Sequence, residues 1–376
     1  LSEISEPNLQ SYPNLASFFY RTLKPGVRPL DTNPSALLSP ADGRVLQYGL
    51  IEGGEVEQVK GVTYSVDALL GNFGESGSLI KPQSLSKTVI QEDSKAEIST
   101  IEEMNNQDTI KLDQDFARVN RISYTLSKFF LGPGKSPAGK LEDASTVPKP
   151  GSEAEVRTHL ASGKRSWDSK LSSEKRTALY YIVVYLAPGD YHRFHSPCEW
   201  VVESRRHIVG ELYSVSPYLQ RLLPGLFTLN ERVVLLGRWH WGFFSFVPVG
   251  ATNVGSIKIN FDRELRTNSL KSAKTSDLVS VGAANRSESC GKYFEATYKT
   301  ASPTLHGHPL RRGEEMGGFQ LGSTVVLVFE AAKGQRPSLD QGWMGEKTKR
   351  IGGWKWAVEK GQKIKMGQAL GWVDES

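Results

Sequence analysis

The sequence predicts a mainly β fold of the α+β type, on three observations. From residue 178 onward the apolar residues come in short runs closed by Gly, Pro or Asn, the pattern of strands joined by tight turns. Helical spacing is confined chiefly to the N-terminus, where Leu9, Tyr12, Leu15, Phe18, Phe19 and Leu23 recur ahead of Pro25. Two long stretches, at about 72–177 and 267–289, are rich in small and polar residues and read as flexible insertions that bury too little to order themselves.

Taken in order, residues 1–30 form an N-terminal helical segment whose helix, over 8–24, stops at Pro25. Its Phe18, Phe19 and Leu23, beside Arg21, Lys24 and Arg28, read either as a core face or as an interfacial element suited to anionic lipid. Pro40–Val45 places Asp42 in an Asp-Gly turn. Within the first insertion, Ile122–Leu131 is a weak apolar patch that could form a short helix. Gly132–Ser136 lacks the strand that a phosphate loop follows. Strands are predicted at Ala178–Leu186, Glu199–Arg205, Arg232–Arg238, Gly242–Pro248 and Ser256–Phe261. Trp239, Trp241, Phe243 and Phe244 read as core, with a lipid-facing patch as the other reading. After Trp354–Val358 the tail alternates Lys-Gly turns with short apolar runs up to Val373. That tail resembles the swapped hairpins of a biotinyl-type domain, so the β core is expected to be barrel-sandwich-like.

At 376 residues the chain can bury a sizeable core. Its net charge of +5, from 46 basic and 41 acidic residues, permits attraction to anionic lipid without the excess that nucleic-acid binding calls for. Cys198 and Cys290 are the only cysteines, too few for a disulfide framework or a zinc cluster. His306 and His308 lack a third ligand at suitable spacing, and no metal is expected. No apolar run is long enough to span a bilayer.

The chemistry-bearing residues are few. Ser323 follows Gly322 and enters the apolar run Val325–Phe329. With no side chain on Gly322, the serine hydroxyl can fold back on the preceding carbonyl, a geometry suited to attack on the chain's own backbone. A glycine turn with a locally bonded serine is the other reading of the same residues. Asp190–Pro197 carries His192 and His195 directly after the strand ending at Leu186. Asp42, a histidine and Ser323 thus supply acid, base and nucleophile in that chain order. Residues three apart on an extended strand face opposite sides. A turn must therefore bring both histidines to one pocket, or only one of them works there.

Four stretches carry a resemblance to the phosphatidylserine decarboxylase proenzymes of the mitochondrial type. They are Phe18–Pro25 with Arg28-Pro29, Ser39–Val45, Asp190–Pro197 and Gly313–Val328; Val59–Ser65 and Phe246–Ser256 are similar too. The likeness covers most of 15–71 and 178–376 and fails across about a hundred residues between them. It implies a catalytic domain over 31–376 that cuts itself between Gly322 and Ser323, giving chains 1–322 and 323–376. Ser323 would become a pyruvoyl group, the only cofactor, which condenses with a primary amine and draws electrons from the departing carboxylate. The substrate implied is phosphatidylserine and the product phosphatidylethanolamine. Asp42 would orient His195, His195 would deprotonate Ser323 for cleavage, and His192 would protonate the carbanion in decarboxylation. Met316 and Phe319 would shape the substrate pocket.

The expected partners are phosphatidylserine, an anionic membrane surface docked through Phe18, Phe19, Leu23, Arg21 and Lys24, and the two fragments for each other. A homo-oligomer is left open, and nucleic acid is not expected. Because the chain opens at Leu1 rather than Met, a targeting and anchor segment is expected upstream, with this part peripheral on the mitochondrial inner membrane. The competing reading is a serine hydrolase or protease using Asp42, His195 and Ser323. The Gly-x-Ser-x-Gly elbow of many such enzymes is missing around Ser323.

Overall fold

The computed structural model describes residues 2–59, 62–71, 111–122, 177–251, 257–267, 293–302, 304–320, 323–334 and 352–374. Its centre is one antiparallel sheet. Strand β5 (Thr177–Leu186) and strand β14 (Ser323–Ala332) lie side by side, with Ser323 opposite Leu186 and Ala332 opposite Thr177. Both are rich in β-branched and aromatic residues, and both are buried on two faces, as central strands must be. β14 also pairs β9 (Gly242–Val249), which pairs β8 (Arg232–Trp239), then β7 (Trp200–Ile208), then β11 (Tyr293–Thr297). On the other side β5 pairs β2 (Gly43–Leu50), and β2 pairs β16 (Lys363–Ile364); β12 (His308–Leu310) also pairs β7, and β3 (Glu55–Val59) pairs β4 (Val62–Ser65) in a separate hairpin. The strands predicted from residue 178 onward therefore form, with ends that coincide or shift by up to three residues among the described residues, and the mainly β class holds. Trp239, Phe243 and Phe244 belong to the core.

A smaller sheet of β1 (Leu37–Leu38), β17 (Ala369–Asp374) and β15 (Gly353–Trp356) packs against the large one. Trp354 and Trp356 meet Tyr180 and Phe329, and Trp356 also meets Tyr48. Two sheets thus share an aromatic layer, and the tail is divided between them. A third sheet, β10 (Ile257–Ile259), β13 (Glu315–Phe319) and β6 (Arg193–His195), carries the histidine segment. Its strands can approach closely because β13 holds Gly317 and Gly318. A Cβ on Gly317 would lie 1.9 Å from the Lys258 carbonyl oxygen, and one on Gly318 would lie 2.7 Å from the His192 carbonyl oxygen.

Two expectations need correction. The helix over 8–24 is instead a 3-10 turn, Leu9–Ser11, and a five-residue helix α1, Leu15–Phe19. Pro13 falls between them, and Asn14 with Ser17 forms a capping box that starts α1 afresh. The chain then turns inward at Tyr20, well before Pro25. The first insertion is not wholly free of structure either. A helix at 111–119 lies inside it. Ala117 and Ile122 are buried against Val201 of β7 and against Leu305, and the Ser302 hydroxyl bonds Asp113. These few apolar side chains find partners that exist only once the large sheet has formed. Most of both insertions, including nearly all of Ile122–Leu131, lies outside the described residues.

Candidate active site

The site gathers where β5 and β14 end. Ser323 is the first residue of β14, fully buried, and its hydroxyl has no hydrogen-bond partner among the described residues. Thr324 beside it is equally buried with an unpartnered hydroxyl. Buried hydroxyls are normally satisfied, and leaving one bare costs about 1–3 kcal/mol. Gly322 and the peptide expected to break lie outside the described residues.

Beyond Leu186 the chain leaves the sheet and returns through residues 187–192. His192 is fully buried. Its Nδ1 is 2.8 Å from the Asp190 carbonyl oxygen. A carbonyl can only accept, so Nδ1 carries the proton and Nε2 presents a lone pair. That Nε2 is buried without a partner. The Phe319 backbone N–H donates to the His192 carbonyl at 2.9 Å and pins the segment to β13. Desolvation, opposed by the Asp190 carbonyl bond, pushes the His192 pKa down to about 4, so the imidazole is a neutral base at pH 7.

His195 differs. It is half-buried on β6, its backbone N–H donates to the Pro40 carbonyl, and its Nδ1–H donates to the Gly313 carbonyl at 3.0 Å. Its Nε2 accepts from the Tyr191 hydroxyl at 3.1 Å. Burial lowers its pKa, and burial raises that of Tyr191. A turn at 187–192, outside any strand, brings both histidines to one end of the sheet. That resolves the alternation problem, since His192 precedes β6 and only His195 lies on it.

Asp42 is near both imidazoles, whose basicity its charge raises slightly, but it is not hydrogen-bonded to either. The expected direct pairing of Asp42 with His195 is therefore corrected. Arg28 grips the Asp42 carboxylate, Nε to Oδ1 at 2.8 Å and Nη2 to Oδ2 at 2.5 Å, and the Met366 N–H donates to Oδ1 at 2.9 Å. A planar guanidinium matches a carboxylate's two oxygens, and this fork takes the geometry a histidine would need. Arg28 also bonds Glu3 at 2.8 Å. Arg28 thus serves the site and is not a surface cation.

The other docking candidates divide. Phe19 is buried with its ring 4.9 Å from that of His192. Arg21 is buried and donates to the Gly189 and Asp190 carbonyls at 3.0 Å each. Both wall the site, so neither is available to a membrane. Phe18 and Leu23 are half-buried, Phe18 against Tyr12 and the Arg21 guanidinium. Lys24 is exposed and bonds the Ser2 carbonyl. Met316 and Phe319 are fully buried and pack beneath the site, Phe319 on Phe194. The sequence reading missed Tyr191 and Arg28 as parts of the site; their places within the Asp190–Pro197 and Arg28-Pro29 stretches were the available signal.

His192 should leave a mark on stability. Between about pH 6.5 and about 4 the unfolded chain holds this proton and the folded chain does not. Stability therefore falls as pH falls through that window, by up to about 1.4 kcal/mol per pH unit for this group. Urea unfolding of the uncut Ser323→Ala protein, with and without His192→Gln, should show a shallower pH dependence in the double variant. Equal slopes would mean the proton is taken up elsewhere.

A family model described as phosphatidylserine decarboxylase matches residues 15–130 and 135–372 of the chain. A Candida albicans protein named phosphatidylserine decarboxylase proenzyme 1, mitochondrial, is 40% identical, covering 99% of this chain and 62% of its own length. Proteins of the same name from Schizosaccharomyces pombe and Saccharomyces cerevisiae are 40% and 41% identical. They match 99% and 100% of this chain, and 72% and 66% of their own lengths. The chain thus spans about two thirds of the length of these curated relatives.

Proposed function

Since the chain belongs to the phosphatidylserine decarboxylase family, we propose that it is a self-processing, pyruvoyl-dependent lyase. It converts phosphatidylserine to phosphatidylethanolamine with loss of carbon dioxide. The observation that carries this reading is the bare, fully buried Ser323 hydroxyl at the start of β14. A hydrolase serine must meet a substrate in the intact chain, whereas a serine that first attacks its own backbone can be sealed in until the chain is cut.

Self-processing balances without an oxidant. Ser323 Oγ bonds the Gly322 carbonyl carbon as its proton passes to an imidazole. The Gly322–Ser323 amide then opens to an ester and a free amine. Loss of the Ser323 α-proton and breakage of its Cβ–Oγ bond release Gly322 as a carboxylate. Water replaces the nitrogen of the residue left behind, and ammonia departs. The unpartnered and fully buried hydroxyl fits a position where such a group is made and kept dry. Once formed, a pyruvoyl group serves as an electron sink for an amine-bearing substrate. Gly322, Ser323 and Asp42 keep their proposed places, with Asp42 acting through its charge and through the tail it anchors.

The two histidines divide the proton transfers. His195 is proposed as the base for cleavage and His192 as the acid that protonates the product carbon. The bare Nε2 of His192 favours the converse assignment, because the Nε2 of His195 is shared with Tyr191. Denaturing gels separate them. On the first assignment His195→Ala stays whole, while His192→Ala splits and loses turnover; on the second the gel results exchange. Two fragments from both variants would remove the histidines from cleavage altogether.

The relatives' names include "mitochondrial" and "proenzyme", and we extend both to this chain. The surface of the inner membrane is the proposed location. No helix among the described residues is long and apolar enough to cross a membrane.

A further inference from the structure

A groove of about 560 Å³ opens beside the site, lined in part by Tyr20, Arg21, Arg193, Lys258 and Gln320, within the size range of small-molecule sites. It adjoins the reacting end of the sheet. Arg193 follows His192 directly, and Gln320 is three residues ahead of Ser323. Its walls are positive, with Glu6 the carboxylate among the lining residues. Two of the three cations are engaged. Arg21 is buried on backbone carbonyls, and Arg193 pairs with Glu315 at 2.8 Å. Lys258 is exposed on β10, its ammonium 5.2 Å from the centre of the Tyr20 ring, and it has no ion-pair partner among the described residues. An ammonium over an aromatic face keeps its N–H groups free for an anion. The segment that forms the outer wall also exposes Leu9 and Leu15, at 54% and 63%. The groove therefore holds a cation without an ion pair among the described residues, beside a segment that exposes apolar side chains.

We propose that this groove binds the phosphodiester of a phospholipid head group, with Lys258 as its phosphate contact. The inference rests on the function proposed above and adds where the substrate's phosphate sits. Lys258 moves no proton in the proposed cleavage, so Lys258→Ala should still split into two chains. The test is calorimetric titration of sn-glycero-3-phosphoserine into uncut Ser323→Ala protein, with and without Lys258→Ala or Lys258→Arg. The expected result is a Kd raised at least about fivefold by Lys258→Ala and restored by Lys258→Arg. In the mature enzyme, KM for phosphatidylserine in mixed micelles should rise by a similar factor, with kcat within about twofold.

Equal Kd values across the three proteins would overturn the proposal. So would a loss of vesicle binding with the glycerophosphoserine Kd unchanged, which makes Lys258 a membrane-surface cation only. Inorganic phosphate binding as tightly as glycerophosphoserine, and lost with it, would mark a general anion site and overturn it too. Failure of the wild-type chain to cleave would instead sink the proposed function, while the titration on uncut protein still reports on the groove.

Discussion

Ser323→Ala should leave one uncut chain with no decarboxylase activity, while the fold is kept. The side chain is 0% exposed and its hydroxyl has no partner. Removing it therefore breaks no hydrogen bond, and stability should stay level or rise by up to about 1–3 kcal/mol, the cost of a bare buried hydroxyl. Activity should fall to background, because one oxygen is both nucleophile and source of the reactive group. The checks are a denaturing gel, carbon dioxide release from phosphatidylserine, and urea unfolding. In the wild-type chain the mass of fragment 323–376 should fit a pyruvoyl terminus in place of serine. Two fragments from Ser323→Ala would refute the mechanism. Full-length protein with a lowered unfolding midpoint would show instead that the hydroxyl has a structural partner.

Arg28→Met should be the most damaging change away from Ser323. The Arg28 and Asp42 side chains are 6% and 10% exposed and are joined through two donor nitrogens. The bond to Asp42 raises the Arg28 pKa further, against a smaller effect of burial. Taking away one member of such a pair strands the other charge, at a cost of roughly 3–5 kcal/mol. The Met366 N–H alone cannot replace it. Stability is best read in the Ser323→Ala background, where a single chain unfolds. Arg28→Met with Asp42→Asn should recover much of the loss, since no bare charge remains, yet in a chain that retains Ser323 it should still fail to cleave. If the double variant is as unstable as Arg28→Met alone, the arginine acts through packing and its Glu3 contact. If Arg28→Met is as stable as its parent, the pair is idle.

Several features of this protein were set by local sequence. The apolar runs of β5, β7, β8, β9 and β14 announce themselves, because a strand's period is a property of neighbouring residues. The residue types and turns of Asp42, His192, His195 and Ser323 were equally legible, since both are local. Partnership was not. Asp42 meets Met366 across 324 positions, and Arg28 takes the place on that carboxylate foreseen for His195. The inward turn of Phe19 and Arg21 depends on carbonyls at 189 and 190 that exist as acceptors only once β5 has ended. Helix 111–119 is ordered by Val201 and Leu305, beyond the reach of any composition argument. Local residue order provides the available groups and marks the strand segments. Which groups face one another and which are left bare follows from the packed fold, because hydrogen bonds and burial are settled by the register of distant strands, and no local pattern encodes that register.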